Sequence, residues 1–185
     1  MLGILQKISL VALLAEKQVM IVLAAAVTGL ILLNVITRSA SYALYWVDEL
    51  AIYAMIWMVM IGASMMVRLR KGIAVTLIDG LLGLSLRKVL SIVVDLIVFL
   101  FSTILFWLSL LWYDPFTLAA FGFDLQAFSG ETFNFIYEEP TTTLGIRKFW
   151  IWLVMPVTAV TMTIHALVNL LEKITGRIAA LPEMG

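Results

Sequence analysis

The sequence predicts an all-α membrane protein of four transmembrane helices, and three observations carry that prediction. The chain of 185 residues is 63% hydrophobic and 13% charged, with a mean hydropathy of +1.09, whereas about one quarter of an ordinary soluble domain is charged. Four stretches, 19–37, 46–67, 89–112 and 149–171, are long enough to cross a hydrocarbon core of ~30 Å at ~1.5 Å per helical residue. These runs are continuously apolar instead of alternating, which excludes a β-barrel and requires each backbone to satisfy itself as a helix. The chain reads as one integral membrane domain over 1–185, with an outer segment at 114–148.

Charge gives the orientation. Lys7, Lys17, Arg68, Arg70, Lys71, Arg87, Lys88, Lys173 and Arg177 fall on one side of the four spans, against Arg38, Arg147 and Lys148 on the other. Basic residues collect on the cytoplasmic side, so both termini are expected there. The formal net charge is zero, and no nucleic-acid partner is expected. Zero cysteines exclude disulfide scaffolds, thiolate metal sites and thiol redox chemistry. One histidine cannot supply the paired axial ligands of a membrane di-haem protein, and no HExxH, GxSxG or Walker motif occurs. No enzyme activity, metal or cofactor is expected of this chain.

Residues 1–18 are not a secretion signal, because Glu16 and Lys17 stand where a small-residue cleavage site belongs. Gln6, Ser9, Glu16 and Lys17 share an arc of about 100° on a helical wheel, which leaves two readings: an interfacial helix on the cytoplasmic surface, or an extension of the first span. Within that span Ala25 and Gly29, four apart, suit close helix packing. Asn34 and Arg38 share a face at its outer end. Arg38 to Tyr45 then forms a tight connection that makes the first two spans antiparallel neighbours.

Trp46, Glu49, Tyr53 and Trp57 recur at three- or four-residue steps in the second span and define one aromatic, acid-tipped face. Tyr45 and Trp46 also fit ordinary interfacial anchors, but Trp57 lies near mid-membrane, where anchoring does not explain it. Asp48, adjacent to Glu49, diverges from it by about 100° on a helix, so the two do not form an acid and base pair. Gly62, Ala63 and Ser64 make a small-residue patch. The loop from Arg68 to Lys88 carries Arg68, Arg70, Lys71, Arg87 and Lys88 as candidate contacts to phospholipid headgroups, around an apolar middle that suggests a short surface helix.

Asp95 and His165 are ionisable groups inside the third and fourth spans at equal depth, which makes them candidate partners in an intramembrane polar pair, with Asn169 a further donor. The competing reading pairs Asp95 with Lys88, Arg87 or Arg68 as structural glue. The segment from Asp114 to Lys148, 35 residues, is too long for a simple link. Its many Phe residues argue against disorder, and its five acids and two bases leave it negative. Those rings suit the membrane interface or a partner.

Asn34-Val35-Ile36-Thr37-Arg38, Trp46-Val47-Asp48-Glu49-Leu50, Trp57, Gly62-Ala63 and the basic stretch from Arg68 to Lys71 resemble the small permease subunit of tripartite ATP-independent periplasmic (TRAP) transporters. Leu144-Gly145-Ile146, Trp150 and Pro156 resemble the family's entry to its last helix. Gly72 and Thr76 stand where members often carry histidine and aspartate, and Arg147 where proline is common. The resemblance implies a multi-pass subunit of a bacterial or archaeal cell membrane, the inner membrane in a Gram-negative cell. Its implied partners are a large permease subunit and a periplasmic binding protein that delivers an organic acid, with sodium coupling in the large subunit. Asn34, Arg38, Trp46, Asp48, Glu49, Tyr53 and Trp57 are then candidate assembly residues. The alternative is a self-contained homo-oligomeric carrier or channel using Glu49 or Asp95.

Overall fold

Runs of Leu, Ile, Val, Ala and Met offer the backbone no polar competitor, and in lipid a helix is the conformation that satisfies every peptide group locally. The computed structural model describes residues 2–70, 84–179 and 181. Among the described residues the helices are α1 (Leu2–Ser39), α2 (Tyr45–Leu69), α3 (Leu84–Tyr113), α4 (Pro115–Ala120), α5 (Leu125–Thr132), α6 (Lys148–Trp152) and α7 (Val154–Thr175). Four segments are long and apolar enough to cross a membrane: α1, α2, residues 88–120, and α6 with α7. The start of α1 and the end of α7 share one end of the bundle, here the proximal end; Arg38 and residues 114–148 lie at the distal end.

The N-terminal residues are an extension of the first span and not a separate interfacial helix. α1 runs unbroken for 38 residues, about 57 Å and nearly twice the hydrocarbon core. The polar arc that suggested a surface helix is used inside the protein, where Gln6, Ser9 and Glu16 reach α7. Ala25 and Gly29 are exposed, and a Cβ at Gly29 would meet nothing, so among the described residues they pack no helix. At Gly62 the added Cβ would sit 3.6 Å from the Met20 methyl, an ordinary contact, so α1 and α2 approach without needing glycine there.

α2 closes at Arg70, whose φ of 53° turns the chain left-handed while its N–H donates to the Met66 and Val67 carbonyls. The surface helix expected between Ile73 and Leu82 and the Lys71 contact lie outside the described residues, as does the Arg87 side chain. α3 packs chiefly on α7, while α1 packs on α2 and both reach α7. Ser102 and Ser109 are buried on α3, small enough for close approach, and return their hydroxyls to the Phe99 and Leu105 carbonyls.

The last span breaks at Leu153, between α6 and α7. Pro156 has no N–H to offer the Trp152 carbonyl, and its ring crowds that group. Two side chains use carbonyls at the break: the Trp57 indole N–H donates to Ile151 at 2.7 Å, and the Tyr113 hydroxyl to Phe149 at 2.8 Å.

The long segment after α3 resolves into two short helices with acidic caps. Asp114 accepts from the Thr117 N–H, and Asp124 from the N–H groups of Gln126 and Ala127; these bonds satisfy helix-start donors. Two of the five acids are thus helix caps, and a third, Glu139, pairs with Lys148 at 2.5 Å. Pro140 bridges Arg147, and the turn between them returns the chain through Gly145, at φ +68°. Tyr137 joins the segment to the bundle: its hydroxyl donates to the Tyr113 carbonyl at 2.6 Å, and its ring packs against Phe128 and Phe149. Burial, with the Asp114 charge adding to it, raises the Tyr137 phenol above its ordinary pKa, so it remains a donor.

Candidate functional site

At the distal end α1 and α2 present the predicted cluster, and the structure divides it in two. Arg38 Nη2 meets Asp48 Oδ2 at 2.7 Å. Asn34 joins both, donating to Asp48 Oδ1 and accepting from Arg38 Nε at 2.9 Å. The four-residue step between Asn34 and Arg38 makes this possible. The pair is largely exposed and pins the α1–α2 connection.

Glu49 points elsewhere. Its Oε1 accepts from the Thr142 N–H at 2.8 Å and the Tyr53 hydroxyl at 3.0 Å. Its Oε2 accepts from the N–H groups of Thr143 and Leu144, at 2.6 and 2.9 Å, and from the Thr143 hydroxyl at 2.5 Å. Three successive backbone donors form a concave anion seat, and a carboxylate of this same chain fills it. Trp57, two turns further along α2, binds the Ile151 carbonyl. Glu49, Tyr53 and Trp57 therefore share one face, directed at residues 142–151, while Trp46 is exposed.

At the proximal end lies a second cluster, which sequence reasoning had largely missed. Arg68 and Glu172 are both 1% exposed and form a two-pronged ion pair, Nη1 to Oε2 and Nη2 to Oε1, each 3.0 Å. Arg68 also donates to Asn169 Oδ1 at 2.6 Å, and Asn169 Nδ2 donates to the Val67 carbonyl. Glu172 further accepts from Gln6 of α1 and from the Ala179 N–H of the C-terminal tail. Arg68 is thus not a headgroup contact. Arg70 is also turned inward, donating to the Asn169 carbonyl at 2.8 Å and approaching Glu172 at 3.4 Å. Lys88 remains exposed.

Asp95 and His165 do not pair. Asp95 binds Lys173 at 2.7 Å, tying α3 to α7. His165 takes the Ser9 hydroxyl on Nδ1 at 2.7 Å and Glu16 on Nε2 at 3.2 Å. α7 turns His165 toward α1 and Lys173, eight residues further along, toward α3. The Ser9, His165 and Glu16 trio has the residue types of a hydrolytic triad. Ser9 and His165 are wholly enclosed between helices, so the hydroxyl faces no substrate. Among the described residues no group of three or more His, Asp or Glu side chains is arranged to hold a metal ion.

Glu172, the member that sequence reasoning did not single out, carried a signal shared with residues that it did. His165, Asn169 and Glu172 follow at four and three steps, one face of α7, and Ser9 and Glu16 are seven apart on α1.

The model of the family described as tripartite ATP-independent periplasmic transporters, DctQ component, matches residues 27–176. The chain belongs to the DctQ family. A DctQ component is a membrane subunit of a transporter, and the match takes in both clusters except for Gln6, Ser9 and Glu16 of α1 and Ala179 of the tail. No curated protein matches the chain. Four apolar helices together with membership of the DctQ family make this a multi-pass membrane protein.

Proposed function

We propose that this DctQ-family chain is the static scaffold of a sodium-driven TRAP transporter for an organic acid, holding a large permease subunit that carries the substrate delivered by a periplasmic binding protein. The observation that carries this reading is where the charges go. Arg68, Arg70, Asp95, Glu172 and Lys173 are engaged in helix-to-helix ties at the proximal end, and Arg38, Asp48 and Glu49 in ties at the distal end. Charged groups placed in or near hydrocarbon are costly unless paired, and here their pairing fixes four spans relative to one another. The two acids that a self-contained carrier would use, Glu49 and Asp95, are held by backbone donors and by Lys173.

In this reading both termini are cytoplasmic, as the distribution of Lys and Arg favours, and the distal end faces the binding protein. Sodium and substrate sites belong to the large subunit. Purified chain reconstituted alone in proteoliposomes will move neither sodium nor any of a panel of labelled carboxylic acids, while the complete three-component system will accumulate one of them under an inward sodium gradient. Flux by the chain alone would support the homo-oligomeric carrier instead.

A further inference from the structure

The distal segment 114–137 exposes four phenylalanines: Phe116 at 79%, Phe123 at 70%, Phe133 at 80% and Phe135 at 55%. Phenylalanine has no polar tip to rest in water, so a group of exposed rings marks a surface that something apolar covers. Phe123 and Phe133 also adopt left-handed backbone, φ 65° and 56°, a conformation that bulky side chains rarely take. The turns after α4 and α5 are held in that conformation with the rings outward.

A hydrogen bond places two of these rings beside α3. Asn134 Nδ2 donates to the Trp112 carbonyl at 2.7 Å, so Phe133 and Phe135 flank the distal end of α3. Phe116 follows Trp112 by four residues. On α3 itself Trp107, Leu108 and Leu111 are exposed and continuous with this end, on a helix that crosses the membrane. Residues 115–137 carry Asp124 and Glu131 and no Lys or Arg. Attraction to anionic headgroups is therefore not what would hold the segment; apolar insertion is.

We propose that α4 and α5 form a monotopic anchor: the rings of Phe116, Phe123, Phe133 and Phe135 insert at the boundary of acyl chains and headgroups in the leaflet at the distal end. Asp124 and Glu131 face the water above it. The anchor broadens the chain's footprint in one leaflet and opposes tilting of α3, which packs chiefly on a single neighbouring helix. This holds whether or not the chain acts as a static scaffold.

The chain has no cysteine, so single spin labels report cleanly. Phe116→Cys, Phe123→Cys and Phe133→Cys, labelled in the assembled transporter in phosphatidylethanolamine and phosphatidylcholine vesicles, will relax several-fold more with oxygen than with a water-soluble nickel chelate. Glu131→Cys will show the reverse. Nickel access at the Phe positions would place them in water and overturn the anchor. Access to neither reagent would place them against a protein and overturn it equally. Should a label impair folding, Phe133→Trp keeps an apolar ring: lipids brominated near the headgroup end of the acyl chain will quench fluorescence beyond the loss seen with wild type, and equal fractional quenching would count against insertion.

Discussion

Arg68→Ala will destabilise the folded chain by about 3–5 kcal/mol, the cost of leaving a buried carboxylate without its main counter-charge. Glu172 is 1% exposed and accepts both prongs of the Arg68 guanidinium. With Arg68 removed it keeps Gln6, the Ala179 N–H and the longer Arg70 contact, none of which replaces a two-pronged pair. Folded proteins have about 5–15 kcal/mol in hand, so the loss is a large share of the total. Glu172→Ala will cost a similar amount, because Arg68 would keep only Asn169. Removing both charges in Arg68→Met with Glu172→Met will recover much of the loss, since the penalty comes from the unpaired ion and not from absence of the pair. Denaturant titration in mixed micelles, followed by circular dichroism, reads all three. Wild-type stability in Arg68→Ala would show that the proximal cluster is not a tie.

Glu49→Gln will nearly abolish assembly with the large subunit and uptake by the complex. The substitution keeps size but not chemistry. Both carboxylate oxygens of Glu49 accept hydrogen bonds from donors, so a glutamine must turn its NH₂ against N–H groups, leaving the turn at 141–146 without its clasp. A carboxylate accepting charge-assisted bonds is worth about twice a neutral acceptor. Glu49→Ala will behave like Glu49→Gln, and Glu139→Gln will change little, since the Glu139–Lys148 pair sits at the surface, where ion pairs contribute little. Co-purification of the large subunit and sodium-driven uptake measure the effect; full uptake in Glu49→Gln would contradict the clasp.

Much of the fold was legible because hydrocarbon imposes few solutions: span number follows from length and hydropathy alone. The Asn34–Arg38 step and the Glu49, Tyr53 and Trp57 face were readable for the same reason, since each is set by spacing within one helix. Pairings between helices were not. Asp95 met Lys173 and His165 met Ser9 and Glu16, because rotation of α7 about its own axis is decided by packing of all four spans together. Arg68 was misread as a headgroup contact because basic residues near a span end usually are. What turned it inward was Glu172, an acid 104 positions away, whose place on one face with His165 and Asn169 is legible while the direction of that face is not. The segment at 114–148 was legible as ordered and negative, but its two short helices, capped by Asp114 and Asp124, were not.

Internal rigidity of this chain during transport is the central claim. Two doubly labelled variants of the cysteine-free chain test it by electron-electron distance measurement in the reconstituted, transporting complex: Ser39→Cys with Ala120→Cys across the distal end, and Lys7→Cys with Lys88→Cys across the proximal end. The ties at Arg68, Asp95 and Glu49 predict one distance distribution for each pair, unchanged when sodium and a transported carboxylate are added. A second population that appears in either pair only with sodium and substrate would contradict the scaffold.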